Sequence, residues 1–261
     1  RVGFTCCRFN DHCGSTHLVR SQTVGAKSLK SRLIDLVFWL GWNALWLMPS
    51  RLSFYLFDKT AQITWRREVH SIKQLELNLS RVLECSPSDP RIRPLSLRAM
   101  QSYMRYYCET FMLSKWTDEQ LIGRVRADNS NQVVDALKSG GAVLTLPHLG
   151  NWDWAGAWAA RYFGSLCTVA ERLRPEGVFQ KFLKARESRG ITLMPLTGEG
   201  GTYEYLREHI NEGRLVALLG DRDVARSGMG NLFFGHRTSL QIGAALLALD
   251  TGRPLFTCAP W

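Results

Sequence analysis

The pattern of apolar and polar positions divides the chain near residue 140. Beyond that point, short apolar runs alternate with segments in which apolar residues recur every three or four positions. Strands are predicted at residues 141–146, 167–170, 191–196, 215–219 and 255–259, and helices at 155–160, 175–189, 202–211 and 239–249. Such alternation predicts an α/β fold with a mostly parallel central sheet flanked by helices.

Before residue 140 the periodicity is helical. Apolar residues recur at three- and four-residue steps over residues 54–83 and again over residues 95–111. A proline-rich break at residues 86–94 separates these helices, and residues 133–138 are predicted as a short helix that leads into the first strand. The sheet is therefore expected to follow an N-terminal helical region.

An apolar segment rich in tryptophan opens this helical region. Residues 33–48 contain three tryptophans, and Lys27, Lys30 and Arg32 stand directly before them. The segment is slightly short for a membrane span and includes Asp35. Basic residues followed by tryptophans are typical of an amphipathic helix that lies in the headgroup layer of a membrane. A buried core helix is the alternative interpretation.

These patterns predict three regions. Residues 1–26 show no hydrophobic period, so we expect a disordered lead or a segment foreign to the native domain. Residues 27–50 contain the predicted interfacial membrane helix. Residues 51–261 are expected to form the α/β domain, which is long enough to bury a sizeable core.

The charge of the chain indicates an anionic partner. The 261 residues carry a formal net charge of +10, and nine of them are tryptophan. A basic chain suits membrane lipid, a phosphate-bearing molecule or nucleic acid. Tryptophan favours the membrane interface among these, and the sequence contains no recognised nucleic-acid motif. We therefore expect an anionic lipid surface as a partner and no nucleic acid.

The cysteines and two of the histidines carry no site pattern. The seven cysteines include neither a C-x-x-C pair nor another spacing typical of a metal site. Their odd number and scattered positions favour reduced thiols in the cytoplasm, and no metal is expected. His70 and His209 lie among charged residues in predicted helices, so we expect both at the surface.

The most informative residue is His148, which follows the predicted strand 141–146. Pro147 ends that strand because proline cannot donate to a sheet ladder, and Asn151 is a suitable N-cap for the next helix. His148 thus lies at the carboxyl end of a strand, where ligands bind in open α/β sheets. A neutral imidazole accepts a hydroxyl proton near neutral pH, and Asp153 can hold its other ring nitrogen. The alternative is a histidine beside an unrelated capping aspartate.

A second polar cluster follows the predicted strand 215–219. Asp221, Arg222 and Asp223 come directly after that strand and its final glycine, at the same edge of the sheet as His148. Two carboxylates and a guanidinium at this edge face the predicted ligand crevice. Pairing of these side chains that only stabilises a loop is the alternative.

Ordered motifs resemble those of a known enzyme family. Residues 148–153 read His-Leu-Gly-Asn-Trp-Asp and resemble the H-x-x-x-x-D motif of membrane-associated acyltransferases. The H-x-G-N-W-D form is similar to the branch containing lipid A late acyltransferases and actinobacterial phosphatidylinositol mannoside acyltransferases. The motifs that follow in the order of that branch are Ala-Glu-Arg-Leu-Arg-Pro at 170–175, Arg-Glu-Ser-Arg-Gly at 186–190, Asp-Arg-Asp at 221–223 and Phe-Phe-Gly at 233–235. The first of these four is closer to the mannoside enzymes.

The resemblance implies an activity and a catalytic set. It implies a peripheral enzyme on the cytoplasmic face of the cell membrane, with acyl-CoA as donor and no cofactor. The enzyme would move a long-chain acyl group to a mannose hydroxyl of a phosphatidylinositol mannoside. His148 would be the general base, supported by Asp153 and Asp221. Amides at the helix N-terminus would stabilise the oxyanion.

The resemblance also implies a substrate-binding set. Glu171 and Arg172 would lie near the acceptor sugar, and Arg186, Arg222 and Asp223 complete the predicted set. The aromatic face of the helix at 95–111 either walls an acyl groove or packs in the core. Members of the family continue beyond the last predicted strand, so we expect the chain to be truncated at its C-terminus.

Alternative functions share much of this pattern. A lipid A-type enzyme that uses acyl carrier protein as donor would show the same general motifs. A non-catalytic lipid-binding protein could share the fold, although the presence of both His148 and Asp153 argues against it. A serine hydrolase is disfavoured because the sequence has no G-x-S-x-G nucleophile elbow.

Overall fold

A computed structural model of the protein describes residue 36 and residues 40–171, 176–196, 201–223 and 226–260. Within them the predicted α/β fold is confirmed, with a mostly parallel sheet between helices. In chain order the elements are α1 (Ser50–Arg66), α2 (His70–Val82), α3 (Ile92–Met112), α4 (Asp118–Arg124), α5 (Ser130–Lys138), β1 (Ala142–Leu146), α6 (Trp152–Tyr162), β2 (Leu166–Glu171), α7 (Glu176–Glu187), β3 (Ile191–Leu196), α8 (Thr202–Asn211), β4 (Leu215–Leu219), β5 (Met229–Phe233), β6 (His236–Leu240), α9 (Gly243–Thr251) and β7 (Leu255–Thr257).

The main sheet has five parallel strands in the order β3-β2-β4-β1-β7. The register of β1 and β4 sets Leu146 opposite Leu219, so these two strands end side by side. Gly220 extends the pairing by donating its backbone N–H to the carbonyl of Leu146 at 3.0 Å. A Cβ at position 220 would lie 2.6 Å from Thr145 Oγ1, so glycine allows this close approach.

Side chains alternate along each strand, so the apolar strands of the sheet present apolar side chains on both faces. Helices cover both faces. On one face the strands pack against α5 and α6, and on the other against α8 and α9. The first cluster includes Val133, Ala142, Leu146, Ala160, Leu215 and Ala217, and the second includes Val143, Leu206, Ile210, Val216, Leu218 and Leu247. The hydrophobic core of the sheet therefore consists of two clusters, one on each face. The edge at which the parallel strands have their carboxyl ends is left for the site.

The N-terminal helices form a separate layer in which α3 packs against α1 and α2. Residues 54–83, predicted as one helix, form two helices that are divided at residues 67–69. The backbone of Glu68 takes a φ of 47° at this break. Ser96 on α3 accepts a hydrogen bond from Trp65 Nε1 at 2.9 Å and donates one to Glu76 at 2.8 Å. One small hydroxyl thus ties the three helices together.

Residues 40–47 are helical, as the apolar segment 33–48 predicts. The ring of Trp42 packs on Phe111 and Phe182, with centroids 4.8 and 5.4 Å apart. Leu40, Trp46 and Leu47, in contrast, are exposed. Phe111 belongs to the aromatic face of α3, so packing rather than an open groove describes that ring. Lys27, Lys30 and Arg32 lie outside the described residues.

No helix in the described part of the chain is both long enough and apolar enough to cross a bilayer.

The region between β4 and α9 differs from the sequence prediction. Residues 239–240, predicted as the start of a helix, end strand β6 of an antiparallel hairpin, and α9 begins only at Gly243. The hairpin turns at Phe234 and Gly235, whose φ angles are 47° and 72°. Two-residue turns with two positive φ values favour Asn-Gly or Asp-Gly. A Phe-Gly turn lacks that signal, so the sequence pattern missed the hairpin.

His209 differs from its predicted place at the surface. Its side chain is only 4% exposed, on the inner face of α8. Nδ1 lies 3.5 Å from an Arg214 nitrogen, while Nε2 is buried without a hydrogen-bond partner among the described residues. Burial, aided by the charge of Arg214, lowers the pKa of His209 below its ordinary value of 6.5.

Protonation of His209 should therefore cost stability at mildly acidic pH. The unfolded chain takes up the proton first, so the stability that neutral His209 provides is full above about pH 6.5 and falls as the pH decreases towards the lowered pKa. Urea unfolding at several pH values should show a shallower loss of unfolding free energy for His209→Gln than for the wild type. His70→Gln, at an exposed position, is the control. Parallel curves for wild type and His209→Gln would contradict this account.

Candidate active site

His148 and Asp221 form a hydrogen-bonded pair at the carboxyl edge of the sheet. Each follows by two residues the end of its strand, and the paired ends Leu146 and Leu219 bring them together. His148 Nδ1 lies 2.7 Å from Asp221 Oδ1, and the backbone N–H of His148 donates to Asp221 Oδ2 at 3.1 Å. The carboxylate thus fixes both the ring and the backbone of the histidine.

The pair leaves one ring nitrogen of His148 free to react. A carboxylate only accepts hydrogen bonds, so the proton of the neutral imidazole lies on Nδ1 and the lone pair on Nε2. The two side chains are 27% and 36% exposed, which leaves them accessible to a substrate. The ring of Trp152 packs edge-on against the imidazole, with centroids 4.9 Å apart, and limits its rotation.

The N-terminus of α6 lies next to this pair. Asn151 caps the helix by accepting a hydrogen bond from the Trp154 N–H at 3.1 Å, as the sequence predicts. Its amide also donates to Glu109 on α3 at 3.0 Å. The first-turn N–H groups of Trp152 and Asp153 are not used by this cap. Such groups suit a developing oxyanion.

Asp153 does not make the contact with His148 that its spacing suggests. Its carboxylate is only 4% exposed and contacts side chains of α3 and α7. Asp153 Oδ1 accepts from Arg186 Nε at 2.7 Å, and Oδ2 accepts from the Tyr106 hydroxyl at 2.6 Å. The expectation that Asp153 holds the second ring nitrogen was wrong in its geometry. The first turn of α6 directs this side chain inward, and Asp221 makes the contact instead.

The charges around Asp153 are tightly balanced. Burial raises the pKa of Tyr106, and the neighbouring Asp153 carboxylate raises it further, so the phenol stays a donor. Burial alone would lower the pKa of Arg186, but the charge of Asp153 together with the hydrogen bonds to Asp153 and Tyr106 outweighs it, and the net pKa is raised. Arg186 is therefore a cation held directly beside the Asp153 carboxylate. A substrate phosphate at Arg186 would have to compete with that carboxylate.

The other predicted residues of the 221–223 motif occupy different surroundings. Arg222 is exposed beside the His148–Asp221 pair. Asp223 instead accepts hydrogen bonds from the Ser239 hydroxyl, the Gln241 amide and the backbone N–H groups of residues 227 and 228. The bond from Ser239, helped by those backbone donors, lowers the pKa of Asp223. The structure gives Asp223 contacts that organise a loop, made to Ser239, Gln241 and two backbone amides.

Glu171 and Arg172 are the predicted substrate-binding residues at the end of β2. Glu171 ends β2, and the parallel sheet brings its backbone to the same edge as His148 and Asp221. Its side chain, like the whole of Arg172, lies outside the described residues. Within the described parts of the chain, no group of three His, Cys, Asp or Glu side chains is arranged to hold a metal ion.

Sequence reasoning did not identify Tyr106 and Trp152 as site residues. Tyr106 stacks on Trp152, with centroids 4.0 Å apart, and its hydroxyl donates to Asp153. Because Trp152 also packs on His148, Tyr106 links the surroundings of Asp153 to those of the histidine. Trp152 lies inside the H-x-x-x-x-D motif, which was a signal for its place. Tyr106 lies on a helix with several aromatics, and no spacing pairs it with Asp153 47 residues later.

Chemically, the site combines a base, an anion that supports it and nearby amide donors. Nε2 of His148 can accept a proton from a hydroxyl, and Asp221 stabilises the resulting imidazolium. Backbone N–H groups at the α6 N-terminus can stabilise negative charge on a carbonyl oxygen. Such a set suits transfer of an acyl group to a hydroxyl.

Replacement of Asp153 by asparagine should destabilise the protein. The substitution keeps the shape of the side chain but leaves the Arg186 charge without its partner. We expect a loss of about 1.5–3 kcal/mol of unfolding free energy, the range for a hydrogen bond to a charged group. The loss stays below that of a fully buried pair because Arg186 is partly exposed.

Urea unfolding of Asp153→Asn measures this loss. Asp128→Asn removes a surface pair with Arg126 and should cost less than about 1 kcal/mol. Replacing both members of the buried pair, as Asp153→Leu with Arg186→Met, should recover part of the stability. Equal stability of Asp153→Asn and Asp128→Asn would show that the buried pair contributes nothing.

Comparison with known proteins identifies the family of this chain. The family described as bacterial lipid A biosynthesis acyltransferase matches residues 26–261. A phosphatidylinositol mannoside acyltransferase of Mycolicibacterium smegmatis is 36% identical over 239 residues, which cover 91% of this chain and 78% of that protein. A protein of the same name from Mycobacterium tuberculosis is 38% identical over 231 residues, 87% of this chain and 72% of that protein. These matches show that the chain is an acyltransferase and belongs to the bacterial lipid A biosynthesis acyltransferase family.

Proposed function

We propose that this acyltransferase moves a long-chain acyl group from acyl-CoA to a mannose hydroxyl of a phosphatidylinositol mannoside. It acts as a peripheral protein on the cytoplasmic face of the cell membrane and uses no cofactor. The observation that carries the proposal is the 2.7 Å contact between His148 Nδ1 and Asp221 Oδ1, which leaves Nε2 as a base. The similarity to two mannoside acyltransferases supports the choice of acceptor.

The reaction follows from the position of the proton in the His148–Asp221 pair, which is on Nδ1 of His148. Nε2 of His148 takes the proton of the acceptor hydroxyl as its oxygen attacks the thioester carbonyl carbon. Asp221 holds the imidazolium, and the amides of Trp152 and Asp153 stabilise the tetrahedral oxyanion. The carbon–sulfur bond then breaks, the thiolate takes the proton from Nε2, and the products are the ester and free CoA.

Asp153 has a different part in this proposal. Its bonds to Tyr106 and Arg186 hold the first turn of α6 against α3 and α7. That turn carries the amides for the oxyanion and the Trp152 ring that packs on His148. Asp153 is therefore a positioning residue, whereas Asp221 acts on the reacting imidazole directly.

Recognition of the acceptor is assigned to the same edge of the sheet. Glu171 ends β2 at this edge, and a carboxylate there accepts hydrogen bonds from sugar hydroxyls. A site built on such bonds rejects acceptors that lack them. Arg222 is exposed between the two aspartates and suits the phosphate of inositol or of CoA. Arg172 adds a second guanidinium in the sequence beside Glu171, while Asp223 supports the loop that carries Arg222.

Acceptor competition tests the proposed substrate. A phosphatidylinositol mannoside and a lipid A precursor are offered together in detergent micelles with labelled acyl-CoA, and the products are separated by mass. We expect label mainly on the mannose lipid. Label mainly on the glucosamine lipid would overturn the acceptor and keep the acyl transfer. Replacing acyl-CoA by acyl carrier protein in a parallel assay tests the donor.

Variants of the pair serve as internal controls in that assay. His148→Ala should abolish transfer, and Asp221→Asn should lower kcat on the order of 100- to 10,000-fold with little change in KM. Both should keep the wild-type unfolding midpoint, because neither side chain is buried. His70→Ala and Asp128→Asn, which change the same residue types at exposed positions, should retain activity. Wild-type turnover by purified His148→Ala would exclude this base.

Membrane docking through residues 33–48 gives a second prediction. Substituting Leu40, Trp46 and Leu47 together by serine should weaken sedimentation with anionic vesicles at least about tenfold, since these exposed side chains lose apolar contact with lipid. Deletion of the segment is a poorer test because Trp42 packs in the protein.

Serine at Val82 and Leu83, two exposed residues at the end of α2, is the matched control and should not change sedimentation. High salt should weaken binding of the wild type, because each lysine or arginine near an anionic surface contributes about 1 kcal/mol. Unchanged binding of the triple variant would count against docking through this segment.

A further inference from the structure

The β5–β6 hairpin exposes more apolar side chain than the folded protein requires. Every residue of β5 is exposed, and Met229, Leu232, Phe233 and Phe234 are 63%, 66%, 59% and 49% exposed. The two strands pair only with each other in the described sheets. Large exposed apolar patches mark interaction sites. The hairpin is therefore a surface for a partner.

The apolar residues lie on both faces of the hairpin. Phe233 is opposite His236 and Leu232 is opposite Arg237, and opposite residues of an antiparallel pair share a face. Since neighbouring residues of a strand face opposite sides, Leu232 and Phe233 point in opposite directions. A flat protein surface covers only one face of a hairpin. A fluid apolar phase surrounds both, which favours a bilayer as the partner.

The charge of the hairpin agrees with an anionic lipid surface. Residues 226–242 contain Arg226, His236 and Arg237 and no aspartate or glutamate. Aromatic and aliphatic side chains beside basic ones are typical of segments that enter the interface of anionic membranes. A second copy of the same hairpin would meet like charge, so self-association is disfavoured.

The turn residue supports a role for the tip outside the fold. Phe234 takes a φ of 47°, where glycine or asparagine is usual. Its ring packs edge-on against Phe233, with centroids 4.6 Å apart, and both rings are exposed. An exposed aromatic residue in this strained backbone region gains little from packing within the fold, and such strain is typical of functional sites.

The base of the hairpin is joined to the active site. Asp223 bonds to Ser239 and Gln241 at this base, while Asp221, two residues earlier, holds His148. Only Arg222 separates the two aspartates. The tip and the catalytic Asp221 are thus carried on one continuous stretch of sequence.

We propose that the β5–β6 hairpin inserts its tip, with Leu232, Phe233 and Phe234, into the interface of an anionic bilayer. Arg226, His236 and Arg237 then lie at the lipid headgroups. The insertion brings the segment 221–223 to the lipid surface from which an acceptor lipid enters. The proposal rests on the proposed function only in that the substrate is a lipid.

Vesicle binding without acceptor or donor tests the insertion separately from the chemistry. The full chain is sedimented with vesicles of phosphatidylcholine and phosphatidylglycerol, and with phosphatidylcholine alone. Phe233→Ser with Phe234→Ser should bind the mixed vesicles at least about tenfold more weakly than wild type. Arg237→Gln should weaken binding about fivefold on mixed vesicles only. Serine at Val82 and Leu83 is the control for exposed apolar residues elsewhere.

Amide hydrogen exchange of the wild type locates the contact without any substitution. Residues 229–240 should exchange more slowly when mixed vesicles are added, so a misfolded variant would still leave the proposal testable. Acyl transfer to acceptor in micelles should continue in the double-serine variant, which separates docking from catalysis.

Several outcomes would overturn the insertion. Unchanged exchange at residues 229–240 or wild-type vesicle binding by the double-serine variant would do so. Loss of micellar activity with full vesicle binding would mean that the hairpin covers the active site. A lipid-free oligomer that dissociates in the double-serine variant would identify the hairpin as an interface between copies. None of these results would alter the acyltransferase assignment.

Discussion

The parallel pairing of β1 with β4 is the constraint on which the active site depends. The register sets Leu146 against Leu219, and the base and its carboxylate each follow two residues later. A shift of one strand by one residue would turn its side chains to the other face and separate His148 from Asp221. Gly220 fits the same constraint, because any side chain there would meet Thr145. Strand register, rather than the adjacency of residues in a motif, thus creates the pair.

Support of the catalytic histidine and anchoring of the neighbouring helix are divided between two carboxylates in different surroundings. Asp221 is partly exposed and holds the imidazole, whereas Asp153 is buried and holds Arg186 and Tyr106. One environment keeps an anion near the reacting atoms, and the other uses an anion to join α6 to α3 and α7. Residue type alone does not distinguish these roles, because both residues are aspartates near one histidine. Burial and partners distinguish them.

The sequence predicts the fold well and the site only in part, for physical reasons. Apolar runs and helical periods identified the strands of the main sheet, because burial on both faces imposes them. Strand ends located His148 and Asp221, but a helix turn decides where Asp153 points, and no local pattern reveals that. The hairpin was missed because its Phe-Gly turn lacks the usual signal and its strands bury little. His209 was predicted at the surface because its sequence neighbours are charged. Those neighbours lie on the exposed side of α8, whereas His209 lies on the buried side.

The order of the strands has a consequence for how the protein is made. β4 lies between β2 and β1, although it follows both in the chain. A nascent chain that has not reached residue 215 already contains His148, Asp153 and Arg186 but lacks the inner strand. Until that strand arrives, β1 and β2 present facing edges with unpaired backbone groups, which are prone to wrong association. The two halves of the sheet can therefore join only after β4 has been synthesised. An N-terminal fragment that ends before Asp221 lacks one member of the catalytic pair.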